Sequence, residues 1–89
     1  MDIRFHIRQF STEMEDKMRK HDEDKGTHGW VDMDPRMLLE KLMGEVLELS
    51  DELIDYTNSS KYINIIDKCA DVANYAMMIA DIARRKIHE

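Results

Sequence analysis

Apolar residues recur at helical spacing in three segments that together account for nearly the whole chain. In the first, Ile3, Ile7, Phe10, Met14, Met18 and His21 follow a four-three spacing that makes one narrow stripe. Arg4, Arg8, Glu13, Glu15, Asp16 and Lys17 mostly cover the other side, so this helix is expected at the periphery. The second segment runs from Met37 to about Tyr56. Its residues Leu39, Leu42, Met43, Val46, Leu47, Leu49, Leu53 and Ile54 fall on a wide arc at roughly 100° per residue, and such an arc needs partners on more than one side. The third follows the polar turn Thr57-Asn58-Ser59-Ser60 and runs to the C-terminus, where Arg84, Arg85 and Lys86 complement its dipole.

Between the first two segments, the stretch from Asp24 to Pro35 has two glycines, Gly26 and Gly29, and no helical period, which predicts a loop. Asp34 reads as an N-cap with Pro35 in the first helical position, an arrangement that meets the unpaired amides of a helix start. Ala70, Ala73, Ala76, Ala80 and Ala83 let neighbours approach the third helix closely, and that helix is apolar almost all round. Three helices of this length cannot surround it. The reading is therefore all-α: one domain, residues 1–89, whose three-helix subunit forms a helical bundle by homo-oligomerisation, as a dimer or a tetramer.

Composition narrows the setting. The single cysteine, Cys69, excludes a disulfide framework and points to a reducing, cytoplasmic location. The N-terminal residues interrupt every short apolar stretch with charge, and no stretch is long and apolar enough to predict membrane insertion. A net charge of −6, with no basic cluster beyond Arg84-Arg85-Lys86, argues against a duplex nucleic-acid partner. An anionic ligand would need a metal or a few placed lysines.

The candidate chemistry lies in the carboxylates. Glu45, Glu48 and Glu52 stand at i, i+3 and i+7, within about 60° of one another at the edge of the apolar arc, with Lys41 among them. Asp67, Asp71, Asn74 and Met78 make the matching file on the third helix, and antiparallel packing would set the files face to face. An ionised Asp71 in an apolar helix costs several kcal/mol unless compensated. Facing carboxylates are a way to build a metal site in a bundle, and all-oxygen ligands suit Mg²⁺ or Mn²⁺. Plainer readings stand beside this one. Lys68 or Lys41 can neutralise Asp71 as a structural ion pair, and Asn74 can bond across an oligomer interface. The scattered His6, His21, His28 and His88 read as surface residues, and the eight methionines as core filling. Trp30 is either a lid over the core or a platform for a planar ligand.

The run Leu38-Leu39-Glu40-Lys41-Leu42-Met43-Gly44-Glu45-Val46-Leu47-Glu48-Leu49, followed by Ile66-Asp67-Lys68-Cys69-Ala70-Asp71-Val72-Ala73-Asn74-Tyr75-Ala76-Met77-Met78-Ile79, resembles the MazG-like all-α nucleoside triphosphate pyrophosphohydrolases. The loop containing Lys25-Gly26 and Gly29-Trp30 looks like that of the small archaeal and phage-type members. Glu45, Glu48 and Asp71 match the family's acidic pattern, while Gly44 and Lys68 stand where it has glutamates. The resemblance spans about residues 25–80. It implies Mg²⁺-dependent cleavage of a nucleoside triphosphate between its α and β phosphates, giving a monophosphate and pyrophosphate. Glu45, Glu48 and Asp71 would hold the metal, with Asp67 in place of the missing glutamate. Lys25 and Lys41 would meet phosphates, Trp30 would stack on the base, and Asn74 would bond a carboxylate or the nucleoside. A non-catalytic helical oligomer, serving as a binding or regulatory subunit, is the alternative that Lys68 favours.

Overall fold

The computed structural model describes residues 2–25 and 29–89, with Lys25 described in its backbone only. Three α-helices carry the described chain: α1 (Phe5–Lys25), α2 (Pro35–Leu53) and α3 (Tyr62–Ile87), with single 3₁₀ turns at Gly29–Asp32 and Ser59–Lys61. Among the described residues there is no strand.

The start of α2 follows from two side chains. Asp34 is extended, and its carboxylate accepts from the Arg36 amide at 2.9 Å while Pro35 begins the helix. The Arg36 guanidinium closes on the same carboxylate, at 3.1 Å through Nε and 2.6 Å through Nη2. These hydrogen bonds hold Asp34 well below the usual carboxylate range, at about 2. At its other end α2 stops at Leu53, a few residues short of Tyr56. Asn58 then restarts the chain by accepting from the Ser60 amide and hydroxyl at 3.1 and 2.8 Å. No side chain caps α3 at its start, and its last turn carries Arg84, Arg85 and Lys86 against the exposed carbonyls.

Helices α2 and α3 pack antiparallel. Lys61 at the start of α3 pairs with Glu52 at the end of α2, and Leu38 at the start of α2 packs with Met78 and Ile82 near the end of α3. Leu38 is 1% exposed and anchors the small core, which Met18 of α1, Trp30, Met33, Tyr75, Met77 and Ile79 partly cover. The first helix reaches the rest of the chain through α3. Its expected stripe is used over part of its length: Phe10, Met14 and Met18 are half-buried, while Ile3, Ile7 and His21 are exposed.

Many large apolar side chains stay exposed. Leu39, Met43, Val46, Leu47 and Leu53 are exposed and lie within about 120° of arc on α2, turned away from the α3 seam. Ala76, Ala80 and Ala83 leave an open small-residue strip on α3. No helix among the described residues is long and apolar enough to cross a membrane.

Candidate functional site

The middle of the α2–α3 seam brings three of the expected residues together around one positive charge. Lys68 sends its Nζ to 3.1 Å from Glu48 Oε2, 3.6 Å from Glu45 Oε2 and 4.0 Å from Asp71 Oδ2. Glu45 and Glu48 are one turn apart on α2, and Lys68 and Asp71 one turn apart on α3. The two i, i+3 pairs therefore face each other across the seam. Asp71 also faces α1, where Lys17 Nζ lies 3.3 Å from Oδ1.

Burial and charge separate the two glutamates. Glu45 is only 22% exposed in its side chain, and its pKa is raised, first by that burial, then by a proton shared with Glu48 and by the nearby Asp71 charge. Glu48 is exposed, and its pKa is lowered by the same hydrogen bond with Glu45 and by the Lys68 ammonium. Lys68 is in turn held charged, chiefly by its bond to Glu48. The phenol of Tyr75 is pushed up by burial and by the Glu45, Asp71 and Glu48 charges, which places it at the edge of the cluster. Within the cluster Glu45 Oε2 is buried without a hydrogen-bond partner among the described residues, with Lys68 3.6 Å away. Among the described residues no set of three Asp, Glu, His or Cys side chains is grouped as a ready metal cage, since the ammonium lies between the carboxylates.

The remaining candidates go elsewhere. Asp67 sits on the α1 side of α3, 3.9 Å from Lys17, and does not join Glu45 and Glu48. A position one turn before Asp71 keeps the same side of the helix, but α3 has two neighbours, and Asp67 falls to α1 while Lys68 falls to α2. Glu52 is tied to Lys61 at 3.5 Å, at the far end of the seam. Asn74, 5% exposed, donates its Nδ2 to the Met14 carbonyl of α1 at 3.0 Å, and its buried Oδ1 has no partner among the described residues. It therefore bonds a helix of its own chain. The Lys25 side chain lies outside the described residues, as do Gly26, Thr27 and His28 of the loop.

Trp30 and Lys41 meet at a second feature, a cavity of about 300 Å³ whose walls also include His21, Met33, Leu38 and Tyr75. Trp30 packs on the core as a partial lid, its Nε1 donor buried without a partner among the described residues. The Arg85 guanidinium lies 6.0 Å from its ring centre while donating to the Val31 carbonyl at 3.3 Å. Tyr75 lines this cavity and lies within electrostatic reach of the carboxylate cluster.

Lys17 and Tyr75 were not singled out by sequence reasoning. Lys17 adjoins Met14 and Met18 on the border of the α1 stripe, and that position is the signal that could have found it. Tyr75 follows Asp71 by one turn. Gly44 stands exposed on α2, where an added Cβ would meet nothing within 4 Å. No protein-family model, curated protein or solved structure matches this chain.

Proposed function

We propose that the chain is a Mg²⁺-dependent nucleotide pyrophosphohydrolase of the MazG-like kind, splitting a nucleoside triphosphate into monophosphate and pyrophosphate. The observation that carries this reading is the convergence of Glu45, Glu48 and Asp71 from two helices on a single cation, the Lys68 ammonium. The residues suit a hard divalent ion. All donors are carboxylate oxygens, and one of them, Glu45 Oε2, is buried with no hydrogen bond. Mg²⁺ or Mn²⁺ bound there would polarise a phosphoryl oxygen and make water a better nucleophile.

The protein's own residues supply the rest. Burial raises the Glu45 carboxyl while the hydrogen bond with Glu45 and the Lys68 ammonium lower that of the exposed Glu48, so the two carboxylates are unequal ligands. In the neighbouring cavity Trp30 and Tyr75 offer flat surface, with an indole donor that has no partner among the described residues, which suits a base, and Lys41 on the same wall suits its phosphates. The uncovered arc Leu39, Met43, Val46, Leu47 and Leu53, with Ala76, Ala80 and Ala83, supports a homo-oligomer that closes this apolar surface. A folded monomer in sedimentation at micromolar concentration would remove that part.

The test is product analysis across a nucleotide panel with Mg²⁺. Monophosphate and pyrophosphate are expected, with Glu48→Gln and Asp71→Asn each losing at least about a hundredfold in rate. Release of orthophosphate alone, or no turnover of any nucleotide, sinks the assignment. A second reading then takes its place, because Lys68 already pairs with all three carboxylates: a non-catalytic helical oligomer held by a structural ion network.

A further inference from the structure

Five acidic side chains along the α3 seams are paired with lysines of the same chain. Lys61 serves Glu52, Lys17 serves Asp67 and one oxygen of Asp71, and Lys68 serves Glu45, Glu48 and the other oxygen of Asp71. The Lys68 contact differs from the others in how many groups it gathers, since Lys61 meets one carboxylate and Lys17 two. One ammonium reaches three carboxylates, and only the Glu48 contact, at 3.1 Å, is a hydrogen bond. The buried Oε2 of Glu45 is left 3.6 Å away and the Asp71 oxygen 4.0 Å away. An ammonium has three donors and one charge, so it holds this set loosely. A divalent ion binds carboxylate oxygens at about 2.0–2.6 Å and carries twice the charge.

We propose that Lys68 is the resident cation of the cluster: its ammonium holds Glu45, Glu48 and Asp71 together in the metal-free protein, and a divalent ion enters only by displacing it. The inference rests on the metal reading above and adds to it an internal competitor. Its consequences are a fold that needs no metal and a metal affinity set low by Lys68. Removing the ammonium while keeping the stem leaves the carboxylates mutually repelling, and their best remaining partner is the ion itself.

The experiment compares the full-length protein with Lys68→Met and Lys68→Arg, by thermal unfolding in chelator and by calorimetric titration with Mn²⁺, in the absence of nucleotide. Lys68→Met should melt below wild type in chelator, recover with Mn²⁺, and bind Mn²⁺ at least about tenfold more tightly than wild type. Lys68→Arg keeps the charge and should stay folded in chelator. If Lys68→Met does not fold in chelator, recovery of its helical circular dichroism on adding Mn²⁺ supports the proposal, and no recovery overturns it. Equal melting of Lys68→Met and wild type in chelator, or equal Mn²⁺ affinity, also overturns it. Because no nucleotide is used, the outcomes separate. Tight Mn²⁺ binding by Lys68→Met without turnover by wild type refutes the hydrolase alone, and turnover by wild type with unchanged Mn²⁺ affinity refutes the resident cation alone.

Discussion

The two seams of α3 are built differently. Toward α2 the contact is continuous, with Leu38 against Met78 and Ile82 at one end, the Lys68 cluster in the middle and Lys61 with Glu52 at the other end. Toward α1 it rests on Met18 at the edge of the core, the Lys17 pairs and the single Asn74 bond to the Met14 carbonyl. A seam of buried aliphatic groups gains free energy in proportion to the area removed from water, whereas partly exposed ion pairs contribute about 0–1 kcal/mol each. The α2–α3 hairpin is thus the structural unit that fixes the site. Helix α1 is fastened onto it by polar ties, and one of those ties, Lys17 to Asp71, ends on a site residue.

The strongest way to break this contrast is Leu38→Ala. It empties the most buried large side chain of the α2–α3 seam and should cost about 3 kcal/mol, a fall on the order of 15 °C in Tm by circular dichroism. Loss of less than a few degrees would mean that the uncovered α2 arc, and not Leu38, anchors the hairpin. A smaller effect should come from Asn74→Ala, about 1 kcal/mol for a lost buried hydrogen bond. It sharpens the comparison by being local: amide exchange should quicken in α1 around Met14 and stay unchanged in α2. Uniform quickening would show that α1 and the hairpin open as one unit. The smallest effect belongs to Asp34→Ala, which removes the cap that starts α2 and should lower Tm by a few degrees at neutral pH. The sign with pH follows from the depressed carboxyl. The cap's contribution is present above pH 3.8, the ordinary carboxylate value, and is lost as pH falls toward about 2, so the gap between wild type and Asp34→Ala should close over that interval. A gap that persists below pH 2 would assign the effect to something other than the charged cap.

How far the sequence spoke can be judged at particular residues. The Asp34-Pro35 start of α2, the polar turn around Asn58 and the three helical periods carry their own local signals, because caps and stripes depend on neighbours within one turn. The pairing of Glu45 and Glu48 with Asp71 was legible for the same reason: i, i+3 spacing fixes one side of each helix, and antiparallel packing does the rest. What periodicity does not give is how α3 divides its circumference between two neighbours. Asp67 and Lys68 are adjacent in the chain, yet the first faces α1 and the second α2. Lys68 was legible as a partner for Asp71, but not that its stem also reaches Glu45 and Glu48 across the seam. Asn74 was singled out for its burial, but its partner, a backbone carbonyl 60 residues away, carries no side-chain signature.

Gly44 has an implication for how such a chain can change over generations. Its surroundings are open, and a good helix former there would relieve α2 of most of the roughly 1 kcal/mol that a glycine costs inside a helix. A glutamate at Gly44 would meet the exposed like charges of Glu40 and Glu48 one turn away, a cost of about a few tenths of a kcal/mol each that the glycine's relief offsets. A glutamate at Lys68 is costlier, because it would exchange the cation among Glu45, Glu48 and Asp71 for a fourth anion, and on the metal reading proposed above it is tolerated only with metal already bound. The two steps toward a fully acidic pattern are unequal, one neutral to history and the other conditional on it.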